Sequence, residues 1–577
     1  MPKRYFLACY LLLCPLVAFA DQPVSVQLQG VSQALVERLG SGLEPHNIAS
    51  NSTFEETVTQ LQAELRQRLH TLGYYQAQVT SRVISHHPAA VSFNITLKEP
   101  VRVKSVQLTL EGDGKSDPLL RYVNNLYLLH TQEVFVHSVH ESSKRLLITF
   151  LTQQGYADAH FTTHQVLVNK GLTEATVLLT LETGPKFYLS SATFPAIALQ
   201  EPLLYQMLPY PLPRPYSPQA MLDFESRLND SGYFSKALVT PTFMREDQQA
   251  NVALETALIL KPQHHYTSGL GYGTDTGVRG RLTYENRYLN RYGHRLILEG
   301  FASQIKTEAQ AVYKVPGSDP VTDHWNYKLR YTQEDVGDKQ WSRNEIGIAS
   351  ERQIKLLEQR IFLDLRQENF RAFDTAKAEH QTRLVPGVHW IYLERDNPRQ
   401  PRLGWQVDWL TQASVDLRIK AHSFLQSTLR IKRLSPISEN WTAAARMEVG
   451  ALWVDDFARV PVDYRYYAGG DKRIRGFAYQ SLGPVAIGND GQPHVIGGRY
   501  LGVLGTEWIY DWTPQFANSF FVEGGNAFMQ DPKPLALSVG TGLRWKTGLG
   551  PIRVDFAFPL TEAKKDFRLH INFGGDL

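Results

Sequence analysis

Cysteine is almost missing from this sequence: Cys9 and Cys14 are the only two among 577 residues. Both fall in a leader in which Lys3 and Arg4 precede an apolar run from Tyr5 to Val17, followed by Ala18-Phe19-Ala20 and Asp21. That order reads as a secretory signal peptide cleaved after Ala20, too short for a spanning helix of ~20 residues. A lipoprotein signal acylated at Cys14 is the rival reading, but Leu13 stands where a small residue would be needed. The mature chain is then expected to carry no thiol, which excludes disulfides, thiolate metal sites and cysteine nucleophiles. No apolar run of ~18 residues follows residue 20, so no transmembrane helix is available. Neither sign of charge is in excess, with 60 basic against 57 acidic residues, which gives no nucleic-acid footprint. Losing Lys3 and Arg4 lowers the formal charge from +3 to +1. A mean hydropathy of −0.29 argues against a helical membrane bundle but leaves open a membrane barrel with a polar inner face.

Catalytic signatures are missing too. There is no Gly-x-Ser-x-Gly elbow and no His-Glu-x-x-His pair. Asp275-Thr276-Gly277 follows Thr274 and has no second copy, while Gly112-Asp113-Gly114-Lys115-Ser116 lacks the first glycine of a phosphate loop. His86-His87 and His264-His265 read as surface or junction pairs rather than metal ligands. The expectation is a non-enzymatic protein with no cofactor and no metal.

Aromatic residues, by contrast, are plentiful: 27 Tyr and 27 Phe mark an ordered chain. In the front half, a helical stretch ending in Gly-Tyr occurs three times, at Gly73-Tyr74, Gly155-Tyr156 and Gly232-Tyr233. Before the first glycine, Val58, Leu61, Leu65, Leu69 and Leu72 fall at helical spacing; Met221, Phe224 and Leu228 do so before the third. Ser217-Pro218 supplies an N-cap and a first-turn proline. Each glycine suits the positive φ of a helix C-cap. Alternating strands follow, through Val91–Leu97, Ala175–Leu181 and Val252–Leu260, and end before Pro100, Pro185 and Pro262. The result is three small two-layer α+β modules.

From Pro262 onward the period changes to two. Trp325, Tyr327, Leu329 and Tyr331 alternate with Asn326, Lys328 and Arg330; Ile361, Leu363 and Leu365 with Phe362, Asp364 and Arg366; Ile552, Val554, Phe556 and Phe558 with Arg553, Asp555 and Ala557. Such dyads fit a soluble sandwich or a membrane barrel. The export signal, the absence of any helical domain in this half and the aromatic last strand favour the barrel. At ~20 residues per strand with its turn, the span holds about 16 antiparallel strands, an even number. A charge on the lipid face would cost ~2–4 kcal/mol at the midplane, and the apolar faces above carry none.

Two features stand out in this half. A long loop, roughly 463–499, carries Gly469-Gly470-Asp471-Lys472-Arg473-Ile474-Arg475-Gly476-Phe477. It reads equally as an exposed basic loop against lipopolysaccharide or as an inward latch built on Arg475, whose rigid fork suits carboxylates. The second is Tyr266-Thr267-Ser268-Gly269-Leu270-Gly271-Tyr272-Gly273, with glycine at every other place on one face. It is either a bend at a barrel corner or a weak first strand, because glycine loses most backbone entropy on ordering. Closed against the strand of Phe567, Leu569, Ile571 and Phe573, it would form a lateral seam that opens to a client strand.

Three modules ahead of a barrel resemble POTRA domains followed by a BamA-type insertase barrel. Arg473-Ile474-Arg475-Gly476-Phe477 resembles that family's Val-Arg-Gly-Phe/Tyr loop motif, and Phe521-Val522-Glu523-Gly524-Gly525 its Phe-x-Asp-x-Gly strand motif. Gly505-Thr506-Glu507-Trp508 and Gly550–Asp555 are similar to its strand signatures. Glu523 replaces the usual Asp and Ile474 the usual Val; a carboxylate one methylene longer still reaches an arginine. BamA has five repeats and two-partner secretion transporters have two. The resemblance implies a lumen latch of Arg473, Arg475, Gly476 and Phe477 held by Glu507 and Glu523 on the strands. It also implies a TamB-like inner-membrane-anchored periplasmic partner, autotransporter-like clients and outer-membrane lipid as surroundings. The expected plan is a signal peptide at 1–20, POTRA domains at 21–99, 100–184 and 185–261, and an outer-membrane barrel at 262–577. A pore passing an unfolded exoprotein is the alternative function, with a diffusion porin third.

Overall fold

The computed structural model describes residues 24–40, 54–86, 89–246, 249–337, 339–371, 378–398, 400–418, 423–488, 491–531, 534–547, 550–561 and 566–573. The expected signal peptide lies outside the described residues. In the first module the helix Phe54–Thr71 buries Val58, Leu61, Leu65 and Leu69, the stripe set by its sequence, against Val91, Phe93 and Ile95 of the strand Ala89–Thr96. A strand ahead of the helices, Ser25–Gln29, pairs parallel with that strand. The second module repeats the plan: Arg102–Glu111 pairs parallel with Glu174–Glu182, and the helix His137–Gln153 covers the sheet with Leu147 and Leu151. In the third, Ser217 accepts a hydrogen bond from the Ala220 amide (3.4 Å) and so caps the helix Pro218–Asp230.

Gly73, Gly155 and Gly232 all have positive φ, at 93°, 105° and 79°. Tyr74 N donates to Leu69 O (2.9 Å) and Tyr156 N to Leu151 O (3.0 Å), which closes each helix by a wrapped C-terminal turn. The glycine carbonyl then receives the next module: Val101 N donates to Gly73 O (2.8 Å) and Phe187 N to Gly155 O (2.9 Å). A Cβ on Gly73 would lie 2.8 Å from Phe135 O, so the close approach needs glycine as much as the φ does.

Sixteen antiparallel strands close into a barrel, from His264–Gly273 to Arg568–Phe573. Neighbours in sequence are neighbours in the wall; only Trp441–Trp453 and Tyr500–Asp511 are separated by a long loop, residues 454–499. The faces are inverted relative to a soluble protein. Trp325, Tyr327 and Leu329 are 46%, 49% and 58% exposed, whereas the alternating Asn326 and Lys328 are 5% and 7% exposed. Ile361, Leu363 and Leu365 likewise face out while Asp364 and Arg366 are buried inside. A sandwich would hide the apolar face and wet the polar one, so this inversion decides for the barrel.

Candidate functional site

The loop after Trp453 begins with a single helical turn, Phe457–Arg459, capped by the Asp456 side chain. It then folds into the lumen, where Tyr464, Tyr466, Ile474 and Phe477 form a buried cluster with Leu452, Leu501 and Ala536 of the wall. Apolar burial at several points carries the chain inward, and the charged tip follows.

Arg475 sits at the centre of that tip, 6% exposed. Its Nε donates to Glu523 Oε1 (2.6 Å) and its own amide to Glu523 Oε2 (2.7 Å). Nη2 meets Glu507 Oε2 at 2.8 Å and Nη1 meets Asp555 Oδ2 at 3.0 Å. The guanidinium lies 3.4 Å from the Phe521 ring centroid, a cation–π stack. Arg544 pairs with Asp555 (2.5 Å) and Glu507 (2.6 Å), and Arg446 pairs with Glu523. Three arginines thus balance three carboxylates, so the cluster carries no net buried charge. The longer Glu523 uses both oxygens: one for the Arg475 side chain, one for its backbone.

Around this centre the other motif residues have distinct places. Arg473 holds Glu448 through both oxygens (2.9 and 2.9 Å). A Cβ on Gly476 would stand 2.6 Å from Ser538 Cβ and 2.9 Å from the Phe558 carbonyl carbon, so only glycine fits there. Phe477 is 3% exposed in the loop's apolar cluster. The structure therefore brings Arg473, Arg475, Gly476, Phe477, Glu507 and Glu523 into one place. Sequence reasoning missed Asp555, Arg544 and Arg446; a charge on the inward face of a dyad strand, as at Asp555 beside Phe556, was the available signal.

A second anchor holds the loop's entry to the opposite wall. Arg343 pairs with Asp463 at 2.6 Å, and Tyr464 donates to Glu368 Oε1 (2.8 Å) while accepting from Arg366 (2.9 Å). Arg366 in turn pairs with Glu345 and Asp364, each at 2.8 Å. The loop is a strut across the lumen.

The barrel closes between its first and last strands. Last strand and preceding strand share six register pairs, Ile552↔Phe573 to Ala557↔Arg568. Among the described residues, first and last strands share two, Tyr272↔Ile571 and Gly273↔His570. Among the described residues, Asn572 and Phe573 pair with the preceding strand alone. Leu569 O accepts from Thr274 N at 3.2 Å. Phe567 precedes the strand, which begins at Arg568, and the Phe573 side chain lies outside the described residues. Gly269 has open space where a Cβ would stand, but at Gly271 that space belongs to Arg279, whose Nε would be 2.9 Å away. Arg279 lies across Gly271 to reach Asn572 of the last strand and Asp471 of the loop (2.9 Å). His570 Nε2 is 2.9 Å from Arg475 O, and Tyr479 N donates to Asp275 Oδ2 (2.7 Å). The loop tip touches both edges of the seam.

A sixteen-strand barrel with an apolar outside, a charged inside and an inward loop defines an outer-membrane barrel protein. The Omp85 superfamily domain matches residues 264–576, and the chain belongs to that superfamily. It is 23% identical over 389 residues to the outer membrane protein assembly factor BamA of Neorickettsia risticii (strain Illinois), covering 62% of this chain and 50% of that one. It is 27% identical over 149 residues to the outer membrane protein assembly factor BamA of Nitratidesulfovibrio vulgaris, covering 24% of this chain and 18% of that one. The chain spans at most half the length of these curated relatives. The crystal structure of BamA from Haemophilus ducreyi lacking POTRA domains 1-3 superposes with a TM-score of 0.66 at 16% identity, covering 82% of this chain and 99% of that one. The likeness is one of fold: this chain has three N-terminal α/β sheets of POTRA type followed by a closed sixteen-strand barrel.

Proposed function

We propose that the protein is a non-enzymatic assembly factor that inserts β-barrel clients into the outer membrane through its seam. The observation that carries this reading is that, among the described residues, first and last strands share two register pairs. An edge left unpaired in lipid costs several kcal/mol per orphaned N–H or C=O, and an incoming strand satisfies those groups by β-augmentation. Client folding supplies the driving force. The three modules further favour a TamA-type subunit of a translocation and assembly module, with POTRA modules docking a TamB-like partner and autotransporters among the clients. The loop strut across the lumen argues against a freely open secretion pore, which would show large, persistent single-channel conductance.

The test is reconstitution in liposomes with an unfolded autotransporter barrel, scoring protease-protected insertion. The proposal expects insertion well above that of liposomes alone; parity with protein-free liposomes contradicts it.

A further inference from the structure

The outward face of the wall is turned to lipid, where a charge is costly unless it finds a partner. In the half of the wall next to the rim where the first strand begins, Asp323, Arg352, Glu394 and Arg433 hold outward positions among the described residues. Arg352 and Asp323 pair with each other at 3.2 Å. Glu394 and Arg433 remain, and they stand on either side of Trp405.

Glu394, Trp405, Arg433 and Ala445 are register partners in turn across four neighbouring strands. The Arg433 guanidinium lies over the Trp405 ring, 4.3 Å from its centroid, and its Nε donates to Ser435 Oγ (2.8 Å). Stack and bond fix the plane of the fork. The N–H groups of its two Nη atoms find no partner among the described residues, and no salt bridge reaches Arg433 there. Glu394 accepts from Tyr392 OH (2.7 Å). On the next strand Ala443 and Ala445, opposite Ser435 and Arg433, make a low floor between Trp405 and Trp508, which are 37% and 39% exposed. Phe424–Pro436 is the tenth of the sixteen strands, so it ends on the rim where the first begins. Arg433 lies three residues from that end (436 − 433). At ~3.4 Å per residue and ~40° tilt this is ~8 Å up the wall, the level of headgroups and the first chain carbons.

We propose that this outward patch is a binding site for one phospholipid with an amine headgroup, of the phosphatidylethanolamine type. The phosphate takes the open fork of Arg433, whose planar donors match its oxygens. The ammonium, two carbons further on, reaches past Trp405 to Glu394. Strands ~4.8 Å apart set the Arg433 and Glu394 backbones about 10 Å apart, a gap that two side chains and a phosphoethanolamine span. An acyl chain lies along the alanine floor. A glycerol headgroup gives Glu394 no cation, and a chainless phosphate ester leaves the floor empty. Both charge pairs gain strength at the edge of the hydrocarbon, where water is scarce.

The experiment uses the full chain, delipidated in dodecyl maltoside, with phosphatidylethanolamine and phosphatidylglycerol of one chain length, and counts bound lipids by native mass spectrometry. One phosphatidylethanolamine is expected to be held about tenfold tighter than phosphatidylglycerol. Arg433→Gln is expected to lose that tight lipid, and Glu394→Gln to bind both lipids alike, at the phosphatidylglycerol level. Arg433→Lys keeps the charge without the fork and should fall between the parent and Arg433→Gln. Retention of the compact form on unheated gel electrophoresis shows that a variant folds, and Arg433→Lys serves if Arg433→Gln does not. Equal affinity of the parent chain for the two lipids, or undiminished binding by Arg433→Gln, overturns the proposal. A preference that survives Glu394→Gln overturns the headgroup assignment. Glycerophosphoethanolamine, the same headgroup without chains, separates the sources: displacement of the lipid at matched concentration assigns the site to a soluble phosphate ester and overturns the lipid assignment. Client insertion plays no part in these measurements, so their failure leaves the assembly reading untouched.

Discussion

At the scale of single residues the account turns on charge balance. Arg475, Arg544 and Arg446 against Glu507, Glu523 and Asp555 leave nothing uncompensated. Arg475→Glu puts an extra carboxylate into a cluster that already holds three, and breaking such a buried pair costs ~3–5 kcal/mol. Assembly activity and the melting temperature in detergent should both fall; adding Glu523→Arg restores the balance and should recover part of each. No recovery, with the loop still protected from protease, would argue against the pairing as the active element. Gly476→Ala should act by overpacking, at ~1–3 kcal/mol, and raise protease cleavage within 454–499; Ser538→Gly in the same chain should relieve part of it and leave the clash with the Phe558 and Pro559 backbone. Much of this cluster could be read ahead of the structure, because Arg473–Phe477, Glu507 and Glu523 sit in short local motifs. Asp555, Arg544 and Arg446 could not. Asp555 and Arg475 are 80 residues apart in sequence, and contacts of that range leave no local period.

At the scale of elements, the Gly-Tyr repeat was legible because helix, C-cap and hairpin are all local. The first strands of the first two modules were not, since Ser25–Gln29 and Arg102–Glu111 owe their place to parallel pairing with strands 65 and 71 to 72 residues away. The second module also carries a titratable core. Burial holds His137 and His140 below their ordinary pKa; His140 Nδ1 bonds Tyr127 OH at 2.6 Å and His137 Nε2 bonds Tyr75 OH. The nearby Glu141 raises both values and Lys144 lowers that of His140, but desolvation is the largest cause for each. Between their folded values and the unfolded value of ~6.5 the unfolded chain binds more protons, so stability is complete above ~6.5 and falls as pH drops through that window. Hydrogen-exchange protection factors across residues 102–182, corrected for the chemical rate, should therefore fall from pH 7.5 to 5.5, and His140→Gln should flatten the difference. Unchanged protection would show that these imidazoles do not couple to the module's stability.

For the whole molecule, wall height is uneven. Among the described residues, strands beside the seam have 10, 10, 8 and 6 residues, whereas the opposite wall has strands of 14, 16, 15 and 18. At ~3.4 Å per residue and ~40° tilt, an 8-residue strand stands ~21 Å tall, short of a ~30 Å hydrocarbon layer. The bilayer must thin beside the seam, where a client would enter. The advantage over protein-free liposomes should accordingly grow as longer-chain lipids are used; an advantage independent of thickness would remove thinning from the mechanism. Dyads made the barrel legible, but its closure was not, because the extent of first-to-last pairing is decided by geometry across the full circumference. Clients that enter through this closure require it to open, and the direct measurement is a locked seam. Tyr272→Cys with Ile571→Cys places two thiols at a register pair. Oxidation should abolish protease-protected client insertion in liposomes and reduction should restore it. Insertion at the unlocked rate by the fully oxidised barrel would contradict the account.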